Sequence, residues 1–350
     1  MTAASRSGSW LRQGAPMDDT HIRLAHGNGG SYMRALIETL FARHLANPLL
    51  DVQTDAAALP AMEGVVMITT DGFTVQPLEF PGGTIGSLAV HGTVNDLAVS
   101  GAVPHYLTLN AFIEEGFEIA KLERIVISLA AAAREAKVVV VAGDTKVVPR
   151  GEGGGLYLAA TGVGTRPRYL QLGMGWVQSG DVILVSGPVG DHGIAVMLAR
   201  EQFGLRGDLL SDAASVLPLT QALAELAGLR FMRDPTRGGL ATVMHEICRA
   251  TGLEVRLMQT AIPVRGQVAA VCEMLGYDPL FLACEGRVVA VIEAAQAAEA
   301  LTRLQALSQG REAAIIGSVH AGRAHVVLQT ELGGERILEE LEDDPLPRIC

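Results

Sequence analysis

A two-part α/β fold is what the sequence predicts for this chain of 350 residues. Three observations predict it. Apolar runs of strand length alternate with stretches of helical spacing in both halves, the pattern of layered α/β architecture. Hydrophobic residues make up 49% of the chain against 19% charged, enough to fill more than one core. Glycine counts 40 while aromatics are only 4%, a balance that suits tight turns and close backbone approach to a ligand.

The first stretch, residues 1–20, is rich in Ser and Gly, carries two Arg and lacks a hydrophobic segment; we expect a disordered extension and not a secretory signal. His26-Gly27-Asn28-Gly29-Gly30 then feeds a helix whose apolar residues Met33, Leu36, Ile37, Leu40 and Phe41 share one face. Val65–Thr70 reads as a strand closing in Asp71-Gly72, and 83–100 reads as a helix carrying Asn95-Asp96. Strand 107–113, helix 121–136, strand 138–142 closing in Gly143-Asp144-Thr145-Lys146, and strand 156–163 complete the first half. Residues 166–180 form the crossing. The second half repeats the alternation: a strand at 181–186, a turn at 187–190 and a helix at 192–201. Further helices are expected near 212–227, 236–251, 264–275 and 294–308, and strands near 253–258, 286–292, 313–319 and 324–329.

Composition excludes several classes. A net charge of −11 argues against general binding to nucleic acid or to an anionic membrane surface, both of which need a basic face. No apolar run approaches the length that crosses a bilayer. No pair among Cys248, Cys272, Cys284 and Cys350 has CxxC spacing, so neither a zinc knuckle nor a dithiol redox motif is indicated. The first three sit in apolar surroundings as small hydrophobes, and that use fits a reducing, cytoplasmic setting.

Three carboxylates share one context: Asp71, Asp96 and Asp144 each close or follow an apolar stretch and meet a turn. Strand ends on one edge of a sheet are where α/β proteins gather ligand groups, and carboxylates there suit Mg²⁺ with nucleotide phosphate. Each Asp alone could equally cap a turn. The chain has no GxxxxGK[ST] loop, so a nucleotide is held by another scheme. Asn28, Gly29 and Gly30 open a helix N-terminus, either an anion site or an ordinary glycine turn. Asp234-Pro235-Thr236-Arg237-Gly238-Gly239 offers a capping Thr236, a phosphate fork at Arg237 and glycines for close approach; as an isolated motif it is also a plain helix start. Glu285, in Cys284-Glu285-Gly286, is either a base in apolar surroundings or a solvated turn residue. His26, His91, His192 and His245 lack metal-ligand spacing.

The sequence ends on Pro345-Leu346-Pro347-Arg348-Ile349-Cys350. Two prolines favour an extended segment, which makes the last thiol either a carried substrate arm or part of a frayed end.

Taken together, the runs His26–Gly30, Thr70–Phe73, His91–Asp96, Gly143–Lys146, Asp234–Gly239, Glu285-Gly286 and Pro347–Cys350 resemble the HypE family of carbamoyl dehydratases of nickel–iron hydrogenase assembly. The likeness covers residue 20 to residue 350. Its middle motifs are shared with the wider PurM-like superfamily of aminoimidazole ribonucleotide synthetase, selenophosphate synthetase and thiamine-phosphate kinase; the terminal Pro-Arg-Ile-Cys is particular to the hydrogenase branch. The resemblance implies two PurM-like α/β (α+β) domains, an N-terminal one at 21–168 for ATP and dimerisation and a C-terminal one at 169–335, then a flexible tail at 336–350. It implies ATP and Mg²⁺ as cofactors and a homodimer in which N-terminal sheets join into a barrel. Its partners would be a HypF-like carbamoyltransferase that loads Cys350 and a HypC–HypD-type iron scaffold that receives cyanide. By motif position Asp71, Asp96 and Asp144 would hold Mg²⁺ and ATP, with Asn28, Gly29, Gly30, Asn95, Asp234 and Arg237 also at the nucleotide. Cys350, Lys146 and Glu285 would be catalytic: Cys350 carries the carbamoyl group, Lys146 stabilises charge on the activated oxygen and Glu285 removes an amide proton. Two other functions compete: a selenophosphate-synthetase-like kinase, which would want a reactive thiol near the glycine loop at 26–30 where the chain has none, and a non-catalytic scaffold docking through its acidic tail.

Overall fold

The structure, a computed structural model, describes residues 19–200 and 207–341. The first half contains α1 (Ser31–Leu36), α2 (Arg43–Leu45), β1 (Val65–Phe73), β2 (Glu79–Phe80), β3 (Gly83–Thr84), α3 (Ile85–Val99), β4 (Val103–Glu114), α4 (Ile119–Glu135), β5 (Val139–Val148) and β6 (Leu156–Arg166). A turn of π-helix, Ile37–Ala42, bridges α1 and α2. The second half contains β7 (Val182–Val185), α5 (Asp191–Ala199), α6 (Leu217–Ala224), β8 (Leu229–Arg233), α7 (Gly239–Thr251), β9 (Glu254–Met258), α8 (Gly266–Leu275), β10 (Val289–Ile292), α9 (Ala297–Gln305), β11 (Ala314–His320), β12 (Val326–Gln329) and β13 (Glu335–Leu338).

Four strands form one sheet in the order β1-β6-β4-β5, and seven form another in the order β13-β12-β9-β11-β7-β10-β8. Both are mostly antiparallel; β4 pairs parallel to β5 across the α4 crossover, and β12 pairs parallel to β9. The mixed sheets require that each strand be read with its partner. β1 runs on through Asp71 to Phe73 because Asp71 pairs with Ala160 and Phe73 with Leu158 on β6. β5 likewise runs through Asp144 to Val148, with Asp144 opposite Asn110 and Lys146 opposite Phe112. Asp71 and Asp144 therefore lie within strands, not beyond their ends, and these strands are the two opposite edges of one sheet.

Helix α3 is the axis of the molecule. It is buried on nearly every side, between the four-stranded sheet, α4 and α6. Thr84 caps it, accepting from the Gly86 and Ser87 amides, while the Ser87 hydroxyl accepts from the Thr84 amide. Only glycine fits at 86, where a Cβ would stand 2.3 Å from the Ile125 carbonyl oxygen of α4. Below this helix, one apolar core joins the first half to α5, Leu209 and α8, so the halves share packing. Two further cores lie on the two faces of the seven-stranded sheet.

Among the described residues, the other face of the four-stranded sheet is uncovered. Val66, Ile68, Val103 and Phe112 are exposed there, Ile68 by 71%. Strand alternation and the observed register place Asp144 and Lys146 on this same outer face. No helix among the described residues is long and apolar enough to cross a membrane.

Candidate active site

A cleft of about 1180 Å³ runs along the free edge of β1, between the two halves. The first half lines it with β1, α3 and Arg166; the second with β8, the turn into α7, and the segment Phe281–Glu285. Asp71, Asp96, Asp234, Arg237 and Glu285 all line this one cleft.

Each carboxylate is placed by its element. Asp96 points from α3 toward β1, where the Thr69 hydroxyl donates to it at 2.7 Å. Burial raises the Asp96 pKa above the ordinary value; the Thr69 hydrogen bond opposes this and the nearby Asp71 adds to it. Asp234 follows β8 and is buried. Burial pushes its carboxyl up to about 7, and the negative charges of Asp96 and Asp71 push the same way. Arg237 stands at the mouth, 83% exposed, with its guanidinium 3.8 Å from Asp71. Thr236 does not cap α7: Gly238, in the left-handed region at φ 72°, occupies that position, and the Thr236 carbonyl accepts from the Gly239 amide. At Gly239 a Cβ would lie 2.6 Å from two carbonyl oxygens of the 280–282 segment, so the chain passes there only as glycine.

The remaining expected residues lie elsewhere. Lys146 is 60% exposed and paired with Asp144 at 2.8 Å. The turn Asn28-Gly29-Gly30 sits beside them, because Gly27 packs directly against Val147 of β5. Gly29 and Gly30 have φ of 75° and 105° and open space where a side chain would be. Three strand spacings, about 14 Å, separate β5 from β1, and Lys146 faces the opposite side of the sheet from Asp71. Asn95, one residue before Asp96, is buried on the far side of α3; its amide donates to the Ala214 and Glu285 carbonyls and accepts from the Val216 amide. Cys350 and the tail around Arg348 lie outside the described residues. Leu341, the last residue described before them, lines the cleft. The other three cysteines are buried and free.

Among the described residues no three His, Cys, Asp or Glu groups stand close enough to hold a metal ion by themselves. The cleft does offer crowded carboxylates, at Asp71, Asp96 and Asp234: the Asp71 charge raises the Asp96 pKa, and those of Asp96 and Asp71 raise that of Asp234. Mg²⁺ is held by one or two carboxylates with phosphate oxygens and water, and such a pair fits it. Sequence reading passed over Thr69 as a ligand to Asp96, and Arg166 and Arg233 as cleft cations. Thr69 stands two residues before Asp71 on one strand face, a spacing that could have singled it out.

In both halves the chain belongs to the class of AIR synthase related proteins. The N-terminal domain of that class matches residues 53–166 and its C-terminal domain residues 178–329. Within it, this chain belongs to the HypE family of carbamoyl dehydratases. The carbamoyl dehydratase HypE of Azotobacter vinelandii is 48% identical over 331 residues, which cover 94% of this chain and 97% of that one. The crystal structure of a hydrogenase maturation protein HypE in complex with ATP superposes with a TM-score of 0.89 at 43% identity, covering 93% of this chain and 99% of the other. A crystal structure of a HypE–HypF complex matches with a TM-score of 0.77 at 42% identity, covering 88% and 100%.

Proposed function

We propose that this chain dehydrates an S-carbamoyl group carried on its own Cys350 to a thiocyanate, using ATP, and so supplies the cyanide ligands of the iron in [NiFe] hydrogenase. The observation that carries the proposal is the position of Leu341 in the wall of the cleft. Nine residue-to-residue steps lead from it to Cys350. Extended, they reach up to about 30 Å, enough to bring the thiol back to any point in the cleft.

The chemistry asks for what this site holds. An amide oxygen is a poor leaving group. Transfer of the γ-phosphoryl group of ATP to that oxygen gives an imidate phosphate, and departure of phosphate with loss of the remaining nitrogen protons leaves S–C≡N, ADP and phosphate. Sulfur serves as the anchor because its thiolate is a strong nucleophile toward the incoming carbamoyl group. Asp71 and Asp96, with Asp234 behind them, would hold Mg²⁺, which supplies charge neutralisation on the phosphates when bound. Arg237 would approach the phosphates from the cleft mouth. Glu285, buried in the cleft wall, would take a proton from the carbamoyl nitrogen. Asn28, Gly29 and Gly30 offer backbone amides beside Lys146.

Lys146 is too far from Asp71 within one chain to act there. A homodimer resolves this. The bare outer sheet face, with Val66, Ile68, Val103 and Phe112 exposed, supports joining two such faces, and that would carry Lys146 and Asp144 of one subunit to the cleft of the other. The organisation we propose is an extension at 1–20, domains at 21–168 and 169–335, and a tail at 336–350. The setting is the cytoplasm, with a HypF-like carbamoyltransferase as donor and a HypC–HypD-type complex as acceptor.

The test is to incubate the protein with ATP, Mg²⁺, carbamoyl phosphate and the carbamoyltransferase, then weigh the C-terminal peptide. A carbamoyl adduct that loses one water only when ATP is present is the expected result. An unmodified thiol, or an adduct that ATP leaves unchanged, overturns the proposal.

A further inference from the structure

Glu285 is held by its main chain from two sides, and one of the holders is a fully buried carboxylate. Asp212 Oδ1 accepts from the Glu285 amide at 3.1 Å, and Oδ2 from the Gly286 amide at 3.3 Å. The Glu285 carbonyl, in turn, accepts from Asn95 at 3.1 Å and from the Ala214 amide at 3.4 Å. The fit is tight: a Cβ on residue 286 would stand 1.8 Å from the Asp212 carbonyl oxygen, so Gly286 alone permits the approach. Behind Asp212, Arg287 lies 3.4 Å from its Oδ2 and 3.4 Å from the Asp191 carboxylate.

Stability does not account for this arrangement. A buried ion pair contributes little beyond what well-packed apolar side chains would. What it does is fix geometry, since two oxygens on consecutive amides leave the peptide between them no freedom to tilt. We infer that Asp212 is a positioning residue for the dehydration, holding the Glu285 side chain at the angle its proton transfer needs. This rests on the reading of Glu285 as the base. Asp212 is not among the residues that line the cleft, and it acts through the backbone amides of Glu285 and Gly286.

The experiment uses the full-length protein loaded with carbamoyl by the carbamoyltransferase, and follows water loss from the C-terminal peptide against ATP concentration. Asp212→Asn keeps the volume but cannot accept from both amides. We expect its rate at saturating ATP to fall about 10- to 100-fold, the effect of a small misplacement of a reacting group, with the half-saturating ATP concentration unchanged. In a Glu285→Gln background the same change should slow the reaction no further, because its route of action is already gone. A purely structural role would instead multiply the two losses, and that outcome overturns the inference. So does a wild-type rate in Asp212→Asn while Glu285→Gln is slow. A wild-type rate in Glu285→Gln overturns the base assignment and the inference with it, and is told apart by that single variant. Thermal unfolding checks the fold; if Asp212→Asn does not fold, Asp212→Ser, smaller and still able to accept one amide, carries the same comparison.

Discussion

The two edges of the four-stranded sheet are built alike and placed differently. Each carries an aspartate within its strand, Asp71 on β1 and Asp144 on β5. At the β1 edge, α3 and β8 bring two more carboxylates to within electrostatic reach of Asp71, and the second half closes over them. At the β5 edge, Asp144 has Lys146 as its charged partner among the described residues, on a face that none of them covers. One edge is a finished half of a site and the other is an exposed supply of charge. The difference supports our proposal that the reacting groups are divided between two chains and that dimerisation is part of the catalytic design.

Breaking that division should produce the largest effects. Lys146→Ala should lower the dehydration rate about 100- to 1000-fold, the size seen when one charge-stabilising donor is removed, so that the carbamoyl form accumulates on the C-terminal peptide. A normal rate would remove Lys146 from the mechanism. Mixing Lys146→Ala and Glu285→Gln subunits at equal ratio sharpens the comparison. Subunit exchange then makes one intact site in each mixed dimer and should restore up to about a quarter of the wild-type rate. No restoration would place both residues in one chain's site.

A smaller effect belongs to the β1 edge. Asp96→Asn should weaken Mg–ATP binding about tenfold or more by calorimetry while sparing the fold, since it removes one charged ligand from a shared set. The equivalent Asp144→Asn, at the other edge, should act on ATP only under conditions in which the protein is dimeric.

The smallest effect concerns stability. Burial lowers the His192 pKa to about 3 and that of His91 to about 4. Below the ordinary histidine value near 6.5, the unfolded chain takes up protons that these buried rings do not, so their contribution to stability falls as pH falls. His192→Gln should therefore lose less of its unfolding midpoint than wild type between about pH 7 and about pH 5. An unchanged slope in a thermal melt would show that His192 does not titrate on unfolding.

Much of this was legible in the residues. Helix α3 was readable because Gly83-Thr84 precedes a long apolar stretch, and its Asp96 could be singled out by the Asn-Asp pair it ends in. Strand lengths were not, because β1 and β5 extend past their apolar runs to satisfy partners far along the chain, as Asp71 does opposite Ala160. β8 and β13 escaped for a related reason. β8 carries two arginines, Arg230 and Arg233, in its five residues, and β13 exposes three of its four, so neither shows a strand's alternation. Asp212 had no local signal at all, since its partners are amides 73 and 74 residues away. Motif position puts Asn95 with the nucleotide groups, while its side chain binds the Ala214 and Glu285 carbonyls and the Val216 amide, because helix geometry turns adjacent side chains to different faces.

The account's central claim is that phosphoryl transfer in the cleft makes the carbamoyl oxygen on Cys350 a leaving group. Loading Cys350 with a carbamoyl group labelled with heavy oxygen, adding ATP, and weighing the released inorganic phosphate tests it directly. The account predicts one heavy oxygen in the phosphate for each thiocyanate formed. Label released into water, with unlabelled phosphate, would contradict it.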